Sequence, residues 1–218
     1  QQVSSAASDV YKRQIWNTFI SFFYFSMKKI IAGVDEVGRG SLIGPVYAAA
    51  VIFNPKINKK EIKDSKKLKK IEREKLFKYI KKNSIWAIGS ASIREIETLN
   101  ILNASLLAMK RAIKKLKVKP NLVLVDGNKS PDLNNYITKT VIKGDQKIKE
   151  ISAASIVAKV SRDKLILKMS ESFKKYKWDV NAGYGTKDHI NAIRKYGITR
   201  FHRKTFNPIH NMLSLKRK

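Results

Sequence analysis

Residues 29–53 read KIIAGVDEVGRGSLIGPVYAAAVIF, and two predicted strands share this segment. The first strand is predicted over residues 29–34 and the second over residues 46–53. The second run is continuously apolar, which predicts a strand buried on both faces of a sheet. Because the link between the two runs is short, antiparallel pairing is favoured.

Outward from this pair, the chain alternates between helix and strand signals. Amphipathic helices are predicted over residues 67–82, 101–116 and 151–173, and further strands over residues 86–93, 121–125 and 139–142. The small residues Ala153, Ala154 and Ser155 would let the last of these helices pack closely on a sheet. The pattern predicts an α/β fold whose mixed five-stranded sheet has three antiparallel strands and then parallel strands, flanked by helices.

The charge of the chain is strongly positive. Its 218 residues include 46 Lys and Arg but 17 Asp and Glu, which gives a formal net charge of +29 and a pI of about 10.2. Such an excess favours a polyanionic partner, either nucleic acid or an acidic membrane surface. An AT-rich coding sequence also raises the lysine content, so the charge indicates a polyanion without naming it.

The absence of cysteine limits the chemistry. With no Cys and three His, the chain cannot form disulfides, thiolate zinc sites or iron–sulfur clusters, and histidine-rich zinc sites are nearly excluded. Any metal must therefore be held by oxygen ligands.

The first 26 residues differ from the rest. A polar stretch over residues 1–14 precedes a short apolar run over residues 15–26, which is too short to cross a bilayer. The segment VSSAASDVYKRQ, residues 3–14, resembles translated sequencing-adapter sequence. We expect the native start to be Met27, with residues 1–26 a non-native or disordered leader and residues 27–218 one folded domain.

Acidic residues follow three of the predicted strands. Asp35 and Glu36 follow the first strand, Asp126 the fourth and Asp145 the fifth. A single acid in such a position is ordinarily a loop residue, but the carboxyl ends of neighbouring parallel strands share one edge of a sheet. Three acidic strand ends therefore predict a cluster of carboxylates in one crevice.

Clustered carboxylates need cations. Two carboxylates about 4 Å apart repel each other by up to about 4 kcal/mol at an effective dielectric constant of about 20. Two Mg²⁺ or Mn²⁺ ions would offset four carboxylates, and such a pair supports phosphodiester hydrolysis. Since consecutive side chains on a strand point to opposite faces, Asp35 and Glu36 can share this site only if the strand ends or bulges there.

The residues around these acids resemble the ribonuclease HII family. The resemblance begins with AGVDEVGRG, residues 32–40, and GPV, residues 44–46, and it extends over residues 30–209. Further blocks follow in the family's order: DSKKL at 64–68, VDGN at 125–128, KGD at 143–145, ISAASIVAKVSRD at 151–163, GYGT at 183–186 and HRKTF at 202–206.

The resemblance implies a ribonuclease H-like fold with a helical C-terminal extension, and a catalytic domain over residues 27–218. It implies that Asp35, Glu36, Asp126 and Asp145 form a catalytic site for two Mg²⁺ or Mn²⁺ ions. The implied reaction is hydrolysis of the RNA strand of RNA–DNA hybrids, and incision 5′ of single ribonucleotides embedded in duplex DNA. The implied products carry a 3′-hydroxyl and a 5′-phosphate.

The resemblance also implies substrate-binding residues. The Gly38-Arg39-Gly40 motif would sense the ribonucleotide 2′-hydroxyl and the junction phosphate, and Tyr184 would stack on the neighbouring deoxyribose. Glycines let the backbone approach a sugar closely, and arginine suits a bidentate phosphate contact. Lys66 is a predicted phosphate contact, although lysine runs of this kind are usually a solvated helix face.

The remaining candidates have structural interpretations. Asp163 is predicted to form an internal ion pair or to support the site from outside its ligands. The three histidines lack ligand spacing and are predicted to be structural or phosphate-facing; they are His189, His202 and His210. Departures from the family pattern are small, with Val37 where alanine is frequent and Ser41 where proline is frequent.

Two alternatives stay open. One is the ribonuclease HIII branch, which shares the catalytic acids but normally carries an additional N-terminal substrate-binding domain. The other is a basic RNA-binding protein without catalysis, which leaves the four acids unexplained. For the nuclease we expect a cytoplasmic monomer that acts in ribonucleotide removal from DNA, with hybrid and ribonucleotide-containing duplex as partners and no membrane contact.

Overall fold

The computed structural model of the chain describes residues 30–62 and 68–215. The leader predicted over residues 1–26 and the predicted phosphate contact Lys66 lie outside the described residues. None of the helices in the described part is long and apolar enough to cross a membrane.

Five strands form one mixed sheet in the order β3-β2-β1-β4-β5. Strands β1, β2 and β3 pair antiparallel, whereas β4 pairs parallel with β1 and β5 parallel with β4. The predicted topology is therefore confirmed. The strands are β1 (Ile31–Val37), β2 (Val46–Phe53), β3 (Ser84–Ala91), β4 (Leu122–Asp126) and β5 (Thr138–Val141).

Helices flank the sheet and form the C-terminal region. They are α1 (Lys70–Lys82), α2 (Ile93–Lys114), α3 (Gly144–Lys147), α4 (Lys149–Ser170), α5 (Trp178–Asn181), α6 (Lys187–Tyr196) and α7 (Ile209–Leu215). Short 3₁₀ turns lie at Lys59–Glu61 and Lys174–Tyr176.

Helix α2 begins well before the predicted start at residue 101. Ser92 caps it by accepting a hydrogen bond from the Glu95 N–H, and the Glu95 carboxylate accepts one from the Ser92 N–H. The prediction missed residues 93–99, which Asn100, with φ 66° and a non-helical conformation, separates from the predicted part. It also placed the end of the preceding strand at residue 93, whereas β3 ends at Ala91.

Helix α4 packs directly on the sheet, as its small residues predict. A Cβ at Gly33 of β1 would lie 2.1 Å from the Glu150 carbonyl carbon at the start of α4. Ala153 and Ala154 are fully buried in the same contact. Strand β2 is buried on both faces, because Ala48 packs on the α2 side and Ala49 on the side of α1 and α4.

A separate apolar cluster attaches the C-terminal region to the segment between β1 and β2. Leu42 and Ile43 of that segment are buried with Tyr176, Trp178 and Ile193. This cluster brings the C-terminal helices beside the end of β1, where the acids lie.

Candidate active site

The acids Asp35 and Glu36 lie inside β1 rather than after it. The expectation that the strand must end or bulge there is wrong, because the register with β2 continues without interruption to Val37. The pairing of β1 with β4 stops earlier, at Val34 and Val125. From Asp35 onward β1 therefore has no strand on that side, and the two acids reach one cavity from a regular strand.

Burial and negative neighbours raise the pKa of Asp35. This side chain is 6% exposed, and burial is the largest cause of the rise, followed by the charges of Glu36 and Asp126. Hydrogen bonds from Ser155 and from the Glu36 N–H, at 2.7 Å, act in the opposite direction. Asp35 is therefore a carboxylate whose negative charge the protein alone does not fully stabilise.

A cavity of about 370 Å³ joins most of the predicted site residues. The predicted residues that line it are Asp35, Glu36, Gly38, Arg39, Gly40, Asp126 and Tyr184. The prediction assigned no role at the site to four further lining residues, Val37, Arg73, Ser155 and Lys159. Ser155 and Lys159 stand in the block of residues 151–163, which marked their positions but not their contacts.

Asp145 is joined to this cavity through Asp126. It lies in the short helix α3, beyond the end of β5 at Val141, and is 2% exposed. It is not among the residues that line the cavity. The Asp126 carboxylate accepts hydrogen bonds from the Gly144 N–H at 2.6 Å and from the Asp145 N–H at 3.4 Å. The predicted ligand role of Asp145 stays a prediction.

The cavity suits a divalent cation by its chemistry. Its carboxylates offer the hard oxygen ligands that Mg²⁺ and Mn²⁺ select, and a cation would offset the repulsion around Asp35. Within residues 30–62 and 68–215, no three carboxylate or imidazole groups are already gathered as ligands for one ion. The oxygen donors and the negative charge of the cavity therefore fit a divalent metal. The described side chains, however, are not already arranged as ligands for one ion.

Residues 38–45, called the glycine loop below, run along the cavity between β1 and β2. Gly38 has φ +89°, and a Cβ there would lie 2.2 Å from Nε of the buried Arg162. Glycine is thus required at this position both by the backbone and by the approaching guanidinium. The side chain of Arg39 is 47% exposed, and its guanidinium pairs with Glu36 at 3.0 Å.

Tyr184 faces the glycine loop across the cavity. An antiparallel bridge joins Ser41 to Tyr184, and the Leu42 N–H donates to the Gly183 carbonyl at 2.8 Å. A Cβ at Gly40 would lie 3.9 Å from Cε1 of Tyr184. The structure therefore places the tyrosine ring beside the second glycine of the predicted motif.

Two buried arginines that the sequence prediction missed hold the glycine loop from below. Arg162 donates to the backbone carbonyls of Ile43, Pro45 and Ala182 at 3.0–3.2 Å. Arg203 donates to the carbonyls of Arg39 and Gly44, each at 2.9 Å. Burial lowers the pKa of Arg203 to about 9, so its guanidinium remains charged at neutral pH. Both arginines lie in blocks that the sequence marked as similar to the family.

Two buried histidines support the backbone of Tyr184. Trp178 Nε1 donates to Nε2 of His189, so Nδ1 of His189 carries the proton and donates to the Tyr184 carbonyl at 2.9 Å. His202 accepts at Nδ1 from the Thr199 N–H, which leaves its Nε2 to donate to His189 at 3.3 Å. Both histidines are neutral in this arrangement, and burial lowers the pKa of each.

These contacts confirm the structural interpretation of His189 and His202. His210 is exposed on α7. Asp163 forms the predicted kind of ion pair, with Lys159 at 2.9 Å one helical turn away.

Residues 32–209 match the family model described as Ribonuclease HII. A Ribonuclease HII of Pelagibacter ubique is 71% identical over 185 residues, which cover 85% of this chain and 100% of that protein.

Solved structures show the same fold. The ribonuclease H2 of Pyrococcus horikoshii OT3 is similar with a TM-score of 0.72 at 27% identity, covering 86% of this chain and 99% of that one. The Bst ribonuclease HIII in complex with Mn²⁺ has a TM-score of 0.69 at 18% identity, covering 87% of this chain and 71% of that one. At that identity the second likeness shows a common fold alone.

The comparisons decide between the two branches left open by the sequence. The match to the ribonuclease HII model spans most of the chain, and a relative with 71% identity carries the same name. Ribonuclease HIII shares the fold at much lower identity. The chain therefore belongs to the ribonuclease HII family.

Proposed function

We propose that this protein is an endonuclease that incises 5′ of single ribonucleotides embedded in duplex DNA, as well as hydrolysing the RNA strand of RNA–DNA hybrids. Its proposed products carry a 3′-hydroxyl and a 5′-phosphate, and its proposed role is ribonucleotide removal from DNA. As a member of the ribonuclease HII family, the chain is a ribonuclease H. The incision site, the metal mechanism and the products are the parts that we propose.

The four acids are proposed to hold two Mg²⁺ or Mn²⁺ ions. When bound, such ions would supply a nucleophilic hydroxide and stabilise the oxygen that leaves the phosphorus. The proposed ligands are Asp35, Glu36, Asp126 and Asp145. The unbalanced charge around Asp35 supports this assignment, because a cation would remove the main cost of keeping that carboxylate ionised.

Arg39 is proposed to bind the phosphate at the junction. Its side chain is half-exposed at the cavity and carries a planar guanidinium suited to two phosphate oxygens. Its guanidinium pairs with Glu36 at 3.0 Å. A phosphate would take the place of Glu36 at Arg39, so substrate binding would also release this acid for metal.

The glycine loop is proposed to read the ribose. The 2′-hydroxyl is both a donor and an acceptor, and backbone groups beside glycine can approach it closely. Gly38 and Gly40 line the same cavity as the acids, and the ring of Tyr184 lies beside Gly40. A deoxyribose stacked on Tyr184 would leave the preceding ribose over the loop.

One observation carries the proposal: a single cavity contains three of the four carboxylates together with the Gly38–Gly40 motif and Tyr184. The deciding assay uses a DNA duplex with one ribonucleotide, with and without Mg²⁺. We expect incision 5′ of the ribonucleotide only when metal is present. Cleavage restricted to longer RNA tracts would contradict the proposed specificity. If Mg²⁺ and Mn²⁺ changed neither cleavage nor thermal stability, the metal mechanism would be wrong.

We further propose that the enzyme works as a cytoplasmic monomer without membrane contact. The positive charge of the chain supports nucleic acid as its polyanionic partner. Light scattering of the purified protein, alone and with a hybrid duplex, would test the monomer: a mass of twice 24.9 kDa without substrate would overturn it.

A further inference from the structure

The hydrogen bonds of the Arg203 guanidinium all go to one loop. This side chain is fully buried, with Nε on the Gly44 carbonyl and Nη1 on the Arg39 carbonyl. Its Nη2 has no hydrogen-bond partner within the described residues, and the Phe206 ring lies 4.9 Å from Cζ. In the part of the chain that the structure describes, the guanidinium thus serves the glycine loop alone.

A buried cation is an expensive way to stabilise a loop. Removing a charged group from water costs several kcal/mol, and an apolar side chain of similar size often stabilises a protein better. Among the described residues, no carboxylate lies within ion-pair distance of Arg203 or of Arg162 beside it. Their placement under a loop that faces the substrate cavity indicates a role beyond packing.

The peptide between Arg39 and Gly40 shows what that role is. In a trans peptide the carbonyl and the following N–H point in opposite directions. Arg203 draws the Arg39 carbonyl toward the protein interior, so the Gly40 N–H is turned the other way. Gly40 lines the cavity that contains the acids. Hydrogen bonding at the carbonyl also strengthens the N–H of the same peptide as a donor.

We propose that Arg203 is a positioning residue for ribonucleotide recognition, which fixes the Gly40 amide as a donor toward the substrate by binding the Arg39 and Gly44 carbonyls from below. This inference rests on the proposed function and assigns a specificity role to a side chain that does not touch substrate. The fixed positive charge under the loop also favours a phosphate above it, because a buried charge is little screened by salt.

The test compares two substrates with Arg203→Lys, which keeps the charge but loses the paired donors. We expect kcat/KM on a single-ribonucleotide duplex to fall at least about tenfold more than kcat/KM on a hybrid with a long RNA tract, because the neighbouring 2′-hydroxyls of the tract offer contacts that a single ribonucleotide lacks. Tyr176→Phe is the control, since it removes a hydrogen bond to Gly197 but keeps the ring that packs with Leu42 and Ile43 of the glycine loop. In this variant, kcat/KM should change by the same factor on both substrates.

Equal losses on both substrates in Arg203→Lys, or no loss, would overturn the proposal. A second measurement needs no variant and covers the case in which Arg203→Lys does not fold. In wild-type protein labelled with ¹⁵N-glycine, the Gly40 amide should exchange rapidly with solvent and become protected when substrate is added without divalent metal. A Gly40 amide already protected in the free protein would overturn the proposal.

Failure of the proposed function would look different. If the wild-type enzyme cut only hybrids with RNA tracts, the proposed incision at single ribonucleotides would fail. The amide measurement, repeated with a tract hybrid, would still decide whether the Gly40 N–H donates to substrate, and the same measurement on Arg203→Lys would decide whether Arg203 positions it.

Discussion

The acids of the cavity and the glycine loop that faces them are positioned by different means. Asp35 and Asp126 follow directly on Val34 and Val125, which are paired across neighbouring parallel strands, so the sheet register alone sets them side by side. The glycine loop has no regular structure of its own. Arginines from α4 and from the segment after α6 hold its carbonyls, and the Tyr184 segment pairs with its backbone.

The two regions therefore differ in their proposed roles: the acids cleave the substrate, and the glycine loop selects it. Strand pairing fixes the backbone around the acids. Their negative charges are not fully compensated, as the raised pKa of Asp35 shows. The loop side has its backbone well satisfied but depends on side chains far along the chain. Changes among the acids should therefore stop cleavage with little effect on binding or folding, whereas changes around the loop should alter stability and substrate choice.

The largest effect is expected at the acids. Asp126→Asn removes one negative charge, yet its amide oxygen can still accept from the Gly144 N–H. We expect cleavage of a hybrid to fall by at least about 10³-fold while the affinity for the hybrid stays within about threefold. Single-turnover cleavage and fluorescence anisotropy measure the two quantities. Asp132→Asn, at an acid whose side chain is 88% exposed, is the matched control and should behave like wild type. Retained cleavage in Asp126→Asn would contradict the assignment.

The next effect is on the stability of the loop side. Gly38→Ala meets both an unfavourable positive φ and the Arg162 guanidinium, so we expect the free energy of unfolding to fall by about 3 kcal/mol. Gly197 also has a positive φ, of +78°, but nothing lies within 4 Å of a Cβ there. Gly197→Ala should therefore cost about 2 kcal/mol, from backbone strain alone, since its ψ of −173° lies in a region that essentially only glycine adopts. Urea denaturation measures the free energy of unfolding of both variants. Equal losses would show that the Arg162 side chain moves aside at no cost in stability.

Acid pH should weaken the support of Tyr184. The pKa of His202 is lowered to about 4 by burial, so the unfolded chain takes up the proton first as the pH falls below about 6.5. Stability from this group is complete above that value and is lost toward pH 4. We expect a loss of about 2 kcal/mol between pH 7.5 and pH 5, with His189 acting in the same direction.

The variant His202→Gln separates the effect of His202 on pH-dependent stability from that of the acids. Burial of Asp35 raises its pKa, which changes stability with pH in the opposite sense. The difference between wild type and His202→Gln removes that contribution, and the variant should show a flatter fall of stability with acid. His210→Gln, at an exposed histidine, should keep the wild-type slope. An unchanged slope in His202→Gln would contradict the neutral histidine pair.

The smallest effect is expected at the ring of Tyr184. Tyr184→Ala should lower kcat/KM on a single-ribonucleotide duplex by about tenfold, or about 1.4 kcal/mol, since the apolar contact between the ring and the deoxyribose is lost. Tyr184→Phe keeps the ring and should stay within about twofold of wild type. A loss in Tyr184→Phe as large as in Tyr184→Ala would show that the hydroxyl, not the ring, makes the contact.

The two sides also differ in how far the sequence predicts them. Strand ends and acids are local patterns, so the sheet order and the meeting of Asp35 with Asp126 could be predicted. The regular strand through Glu36 could not, because it depends on where β4 stops pairing with β1. For Asp145 the strand-end argument placed the acid near β5, whereas it lies in a short helix after it.

The residues that hold the glycine loop could not be predicted from such local patterns. Arg162 and Arg203 look like ordinary basic residues in a chain with 46 of them, and nothing local marks them as buried. Their acceptors between residues 39 and 45 are more than 100 positions away in sequence, as in the bond from Arg203 to Arg39. The resemblance to the family marked these positions, but only the fold shows what they hold.

Arg203 binds the carbonyl of Arg39, 164 positions earlier in the chain, so the glycine loop gains this contact only late in synthesis. A ribosome delivers about 5–20 residues per second, so all four acids and most of the sheet emerge well before residue 203. Contacts between distant residues form slowly because a long loop must close first. During synthesis the proposed metal ligands are therefore made before the residue proposed to position the substrate-reading loop, and one of the last segments to be made completes one of the first.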